Sequence, residues 1–156
     1  MNKIRHVQKV QKLQKVEKHA AQAPCELMFS LIQAADLIRD RLEQAFAGVG
    51  LSSPKFGALT KLAEADEPLS LGELAECLTC VRSNITQLVD RLEADGLVRR
   101  ENDSEDRRCV RAAVTPLGRQ RQAQGAQKLE EVQREFANRL EGVDSGMLHR
   151  ALSALR

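Results

Sequence analysis

At Gly96 the spacing of apolar residues changes from three and four to two, and that change sets the order of elements around it. Upstream, Ile85, Leu88, Val89 and Leu92 fall at i, i+3, i+4 and i+7, the stripe of an amphipathic helix over 82–95. Gly96 is placed to end that helix, because a residue without Cβ enters the left-handed region without a clash. Downstream, 97–101 reads as a short strand. Val110, Ala112 and Val114 alternate with Cys109, Arg111 and Ala113 as a second strand. The stretch 102–108 between them is polar and charged throughout, so it is a loop. A helix is therefore followed directly by a charged hairpin.

The segments on either side are helical in pattern. Ser70 and Glu73 form a capping box, in which hydroxyl and carboxylate each accept from a backbone N–H that has no other partner. It opens a short helix over 71–78 with Leu74 and Leu78 inward. Earlier, Leu27, Leu31, Ala34, Ile38, Leu42 and Ala45 mark a long helix over 24–47, with Pro24 near its start and Gly48 and Gly50 past its end. Ser53-Pro54 is a cap and first-turn pair for a helix carrying Phe56, Leu59, Leu62 and Ala63, and Pro68 closes that connection. Thr115-Pro116 opens a further helix bearing Leu117, Leu129, Val132, Phe136 and Leu140. Gly142 interrupts it, and Asp144 caps a last helix with Leu148, Ala151, Leu152 and Leu155. The expected class is mostly α, of α+β winged helix-turn-helix type, with about six helices and a two-stranded hairpin.

The 156 residues suffice for one core, and with no Trp, no Tyr and four Phe that core must be aliphatic. An aromatic platform for unpaired bases is hard to build from such a chain. Net charge is +2, distributed as +5 over residues 1–18 and −3 over the rest, so any nucleic acid must be met by a local patch. Residues 7–18 read VQK VQK LQK VEK. At 100° per residue such a triplet drifts by about 60° per repeat, so Val7, Val10, Leu13 and Val16 spiral and share no straight face. Residues 1–23 are read as an N-terminal arm, either a solvated helical tail or a basic segment lying on DNA or on a partner subunit. No stretch approaches the ~20 apolar residues of a membrane span, the N-terminus lacks a signal-peptide core, and the cytoplasm is the expected compartment.

The order short helix, turn, second helix and charged hairpin is that of a winged helix-turn-helix, whose second helix offers its polar face to the major groove. On that face Ser83, Asn84, Gln87 and Arg91 lie opposite the apolar stripe, with Arg82 and Thr86 beside them. Asn and Gln pair bidentately with adenine and Arg with guanine. A merely solvated face is the competing reading. Against it, the N-terminal part of this face carries no acid, since Asp90, Glu93 and Asp95 come later. In the wing loop, Asp103, Glu105 and Asp106 can hold the turn while Arg107 and Arg108 reach DNA, one arginine at the tip suiting a narrow minor groove.

These residues also carry a family resemblance. The segments ITQLVDRLEADGLVRR (85–100), EDRR (105–108) and TPLG (115–118), with LSSPKFGALTKLAE (51–64) before them, resemble the MarR family of bacterial transcriptional regulators over about 24–156. The resemblance implies a homodimer joined through helices in 24–50 and 117–156, around a DNA-binding lobe at 52–115. It implies binding of double-stranded DNA at a pseudo-palindromic operator, usually as a repressor released by a small ligand or by thiol oxidation. The family's recognition helix falls on 81–94 and its wing arginine on Arg108. A ligand cleft would be lined by aliphatic side chains with Phe29, Phe46 or Phe56. The chain departs from the family at the turn, where Thr79-Cys80-Val81 stands for the usual Gly-Val-Ser, so that either Thr79 caps the second helix or its end is uncapped.

Four cysteines are too few for a disulfide scaffold. Cys77-x-x-Cys80 is half a zinc site or a dithiol, but no second pair exists and His6, His19 and His149 lie at the chain's two ends. Both thiols are expected to pack in the helix-turn-helix core. Cys25 sits where some peroxide-sensing members of the family carry a reactive thiol, although the tyrosines that support it there are missing here. A redox-sensing regulator using Cys25, Cys77 or Cys80 is thus one alternative, and a helical interaction protein without DNA is another. No nucleophile, base and orienter cluster for catalysis, and no cofactor or metal is implied.

Overall fold

The computed structural model describes the backbone of residues 2–78, 82–102 and 110–155, and side chains from Cys25 onward within those limits except at 82 and 83. Its elements are α1 (Asn2–Ala47), α2 (Ser53–Glu64), β1 (Leu69–Ser70), α3 (Leu71–Cys77), α4 (Arg82–Ala94), β2 (Val98–Asn102), β3 (Val110–Val114), α5 (Pro116–Arg139) and α6 (Ser145–Ser153). The chain divides into two compact units, Met1–Asp40 and Arg41–Arg156.

The first unit consists of the leading part of α1. This helix begins at Asn2, so Pro24 is an interior position and not a start. A proline there removes the N–H that would donate to the carbonyl four residues earlier. Leu27, Met28, Phe29, Ile32 and Leu37 are all exposed, Leu27 to 62%.

The second unit holds the core. The stripe read around Gly96 is the central feature: Ile85, Val89 and Leu92 of α4 are completely buried. They meet Ala58, Leu59 and Leu62 of α2 and Leu74 and Ala75 of α3, with Phe46, Leu51, Leu97, Val98 and Ala112. Each buried Leu, Ile or Val among them contributes about 1.5–3 kcal/mol through burial. Phe46 and Phe56 stack with centroids 4.7 Å apart. Phe46 is thus a core residue. Gly96 takes φ 71°. Its N–H donates to Glu93 O and that of Leu97 to Leu92 O, both at 2.9 Å, which satisfies the carbonyls at the end of α4.

Two local readings are corrected. The hairpin belongs to a three-stranded antiparallel sheet of order β1-β3-β2, since Leu69 pairs with Ala112 and Ser70 with Arg111. A two-residue strand after Pro68 has no periodicity to read. The N-cap of α2 is Ser52, not Ser53, and its side chain makes no capping bond. The carboxylate of Glu43 accepts from Ser53 N–H instead, at 3.1 Å. Other caps follow the sequence: the Ser70–Glu73 box has both bonds, Thr115 Oγ1 accepts from Gly118 N–H, and Asp144 accepts from Met147 N–H.

Candidate nucleic-acid interface

The buried stripe of α4 orients everything else on that helix. At about 100° per residue, Asn84, Gln87 and Arg91 fall on one flank of the stripe, and Thr86, Asp90 and Glu93 on the other. Asn84, Gln87 and Arg91 are exposed, and among the described residues their side chains have no partner. Thr86 is also exposed. Arg82 and Ser83 form the first turn of α4, but their side chains lie outside the described residues, as do Arg107 and Arg108 of the wing.

The acids of α4, by contrast, are engaged. The pleat of β2 puts Arg100 on the same sheet face as Val98, and Val98 is core. Arg100 lies one step beyond the apolar margin and reaches back to α4. Its Nη2 donates to Asp90 Oδ1 at 2.5 Å and its Nη1 to Glu93 Oε2 at 2.7 Å. Its backbone N–H also donates to Glu93 Oε1 at 3.3 Å. The hydrogen bond to Asp90, with the charges of Glu93 and Asp90, holds the guanidinium even more firmly protonated than usual. Asp95 is taken by Lys55 of α2 at 2.5 Å. The outward surface of α4 is thus left with amide and guanidinium groups facing solvent and its carboxylates matched by cations. Arg100 and Lys55 were not singled out in the sequence. The signal for Arg100 was present, because Asp90 and Glu93 share a flank at i, i+3 and Arg100 follows Val98 by two.

Cys77 is not packed in the core as its residue type suggested. Cys77 is exposed, as is Cys25. Leu74 and Ala75 are the buried residues of α3. With Leu78 they set an inward direction from which position 77 is turned by roughly a quarter of a circle or more. Cys80 falls outside the described residues. Among the described residues no group of three His, Cys, Asp or Glu could hold a metal ion, and no helix is long and apolar enough to cross a membrane.

Residues 51–110, which contain α2 to β2, match the model of the MarR family. The chain is 31% identical to the transcriptional regulator BldR from Sulfolobus solfataricus over 86% of this chain and 94% of that one, with a TM-score of 0.64. The chain belongs to the MarR family. Members of this family are transcription regulators and not enzymes. Another similar structure is that of Sco3205, a MarR-family regulator from Streptomyces coelicolor in complex with DNA. It is 28% identical, with a TM-score of 0.71 over 83% of this chain and 82% of that one. The transcriptional repressor YetL of Bacillus subtilis is 38% identical over 97 residues, 62% of this chain. That match spans 58% of the YetL chain, under two thirds of its length. The MarR fold expected from the sequence is the one observed, with β1 added to the wing sheet.

Proposed function

We propose that this MarR-family chain is a sequence-specific DNA-binding regulator that reads the major groove with the flank of α4 carrying Asn84, Gln87 and Arg91. The supporting observation is the division of α4: these three side chains are exposed and unpartnered among the described residues, while Asp90 and Glu93 are matched by Arg100. A helix that meets phosphates needs free donors outward and no uncompensated carboxylate. The side chains of Arg82 and Ser83, with Thr86, complete the reading surface, and Arg107 and Arg108 supply wing contacts. The DNA complex of the similar Sco3205 supports the same reading.

The regulator acts as a homodimer on a pseudo-palindromic operator, and as a repressor, in line with the name of YetL. Each unit exposes apolar side chains that a second copy would cover. In the first these are Leu27, Met28, Phe29, Ile32 and Leu37, and in the second Phe136, Met147, Leu152 and Leu155, the last exposed to 72%. Such patches rarely persist on a monomer. Release by a small ligand follows from the family pattern. The deciding experiment is selection of duplexes from a random pool at physiological salt. A retained sequence with two half-sites about 34–36 Å apart is expected. Retention of no sequence overturns the reading, and a stable monomer at micromolar concentration in sedimentation overturns the dimer.

A further inference from the structure

Arg100 joins the hairpin to α4 through three hydrogen bonds to two carboxylates. It is a sheet residue paired opposite Ala112, which is completely buried, so its backbone is held by the core. Its partners Asp90 and Glu93 lie one turn apart in the C-terminal half of α4. The guanidinium spans both, and Glu93 receives the backbone N–H and the side chain of the same residue. The buried stripe sets the roll of α4 coarsely, and a contact to one carboxylate would leave the remaining small rotation against β2 open. Contacts to two, one turn apart, fix its rotation and its distance together. Asp90 is 55% exposed and Glu93 40%, and pairs so exposed add little to stability. The arrangement is therefore better suited to setting geometry than to holding the fold.

We propose that Arg100 is a positioning residue for DNA recognition: by forking across Asp90 and Glu93 it sets the angle between α4 and the wing, so that helix and hairpin meet one duplex together. The proposal rests on the DNA-binding reading above. It has a consequence of unusual sign. Removing two carboxylates from a DNA-binding helix lowers repulsion from phosphates and by charge alone strengthens binding to any duplex. If the fork positions α4, the same change weakens binding to the operator. Lysine at 100 keeps the charge but, as a point donor, cannot span two carboxylates in a fixed plane.

The test uses the full chain carrying Asp90→Asn with Glu93→Gln, and separately Arg100→Lys. Affinities are measured for the duplex that the wild type retains from a random pool, and for a random duplex of equal length at the same salt. Thermal melting is recorded for each protein. In both variants operator affinity is expected to fall roughly tenfold, the scale of one lost base contact. For the double variant, random-duplex affinity stays level or rises. The operator-to-random ratio therefore falls at a nearly unchanged melting temperature. A double variant that binds the operator as tightly as the wild type, or more tightly, at an unchanged ratio overturns the proposal. Equal loss on both duplexes with a lowered melting temperature overturns it too, since the role would then be structural. A wild type that selects no duplex fails at the DNA-binding reading itself, which separates the two failures.

Discussion

Replacing Gly118 by alanine tests whether a close backbone approach outweighs helix propensity. Gly118 is the third residue of α5, where alanine would by propensity alone stabilise the helix by about 1 kcal/mol. The tertiary structure reverses that sign. A Cβ at 118 would overlap the carbonyl oxygen of Leu97 and lie 2.9 Å from Val114 Cγ2 and 3.0 Å from Leu97 C. Two of these atoms are backbone and the third belongs to a stiff β-branched side chain, so none can swing aside. Relief requires the start of α5 to retreat from Leu97. That movement strains the bonds that seat it: Thr115 N–H to Leu97 O at 3.0 Å, and Thr115 Oγ1 to Gly96 O at 2.8 Å. Overpacking costs about 1–3 kcal/mol, and a weakened cap and hydrogen bond about 1 kcal/mol each. Less the propensity gain, Gly118→Ala should destabilise by about 2–4 kcal/mol. For a chain of this size the melting temperature should then drop by roughly 5–15 °C. Urea and thermal unfolding followed by circular dichroism, at matched protein concentration, measures it. An alanine variant as stable as the wild type, or more so, refutes the close-approach argument.

Gln87→Ala should cost about 1–3 kcal/mol on the selected operator and little on random DNA; equal losses on both would argue against base reading. Arg108→Ala should weaken binding to every duplex and lower the slope of log affinity against log salt by about 0.9, and an unchanged slope would remove Arg108 from the phosphate contacts. Removing residues 1–18, which carry a net +5, should leave the selected sequence unchanged while shrinking the salt slope. If dimer stability fell instead and the slope held, Val7, Val10, Leu13 and Val16 would belong to the subunit interface.

Much of this protein is determined by residues a few positions apart. The stripe Ile85–Val89–Leu92, the Ser70–Glu73 box, Gly96 in the left-handed region and the Thr115 cap are local devices, and each operates in the structure as its spacing requires. The outward flank of Asn84, Gln87 and Arg91 follows from the same stripe, because burying one face of a helix of 3.6 residues per turn exposes the other. What the sequence left open depends on residues distant in the chain. The pairing of Leu69 with Ala112 needs two segments that carry no shared pattern. Glu43 serves the start of α2 where a neighbouring serine was the local candidate. Cys77 is exposed because the inward direction of α3 is set by the core that Leu74 and Ala75 enter, and a small apolar residue type does not decide that direction. Arg100 shows the difference most directly. Its charge is visible in one dimension, but its partners are chosen by the pleat of β2 and the roll of α4, which only the packed core brings within hydrogen-bonding distance.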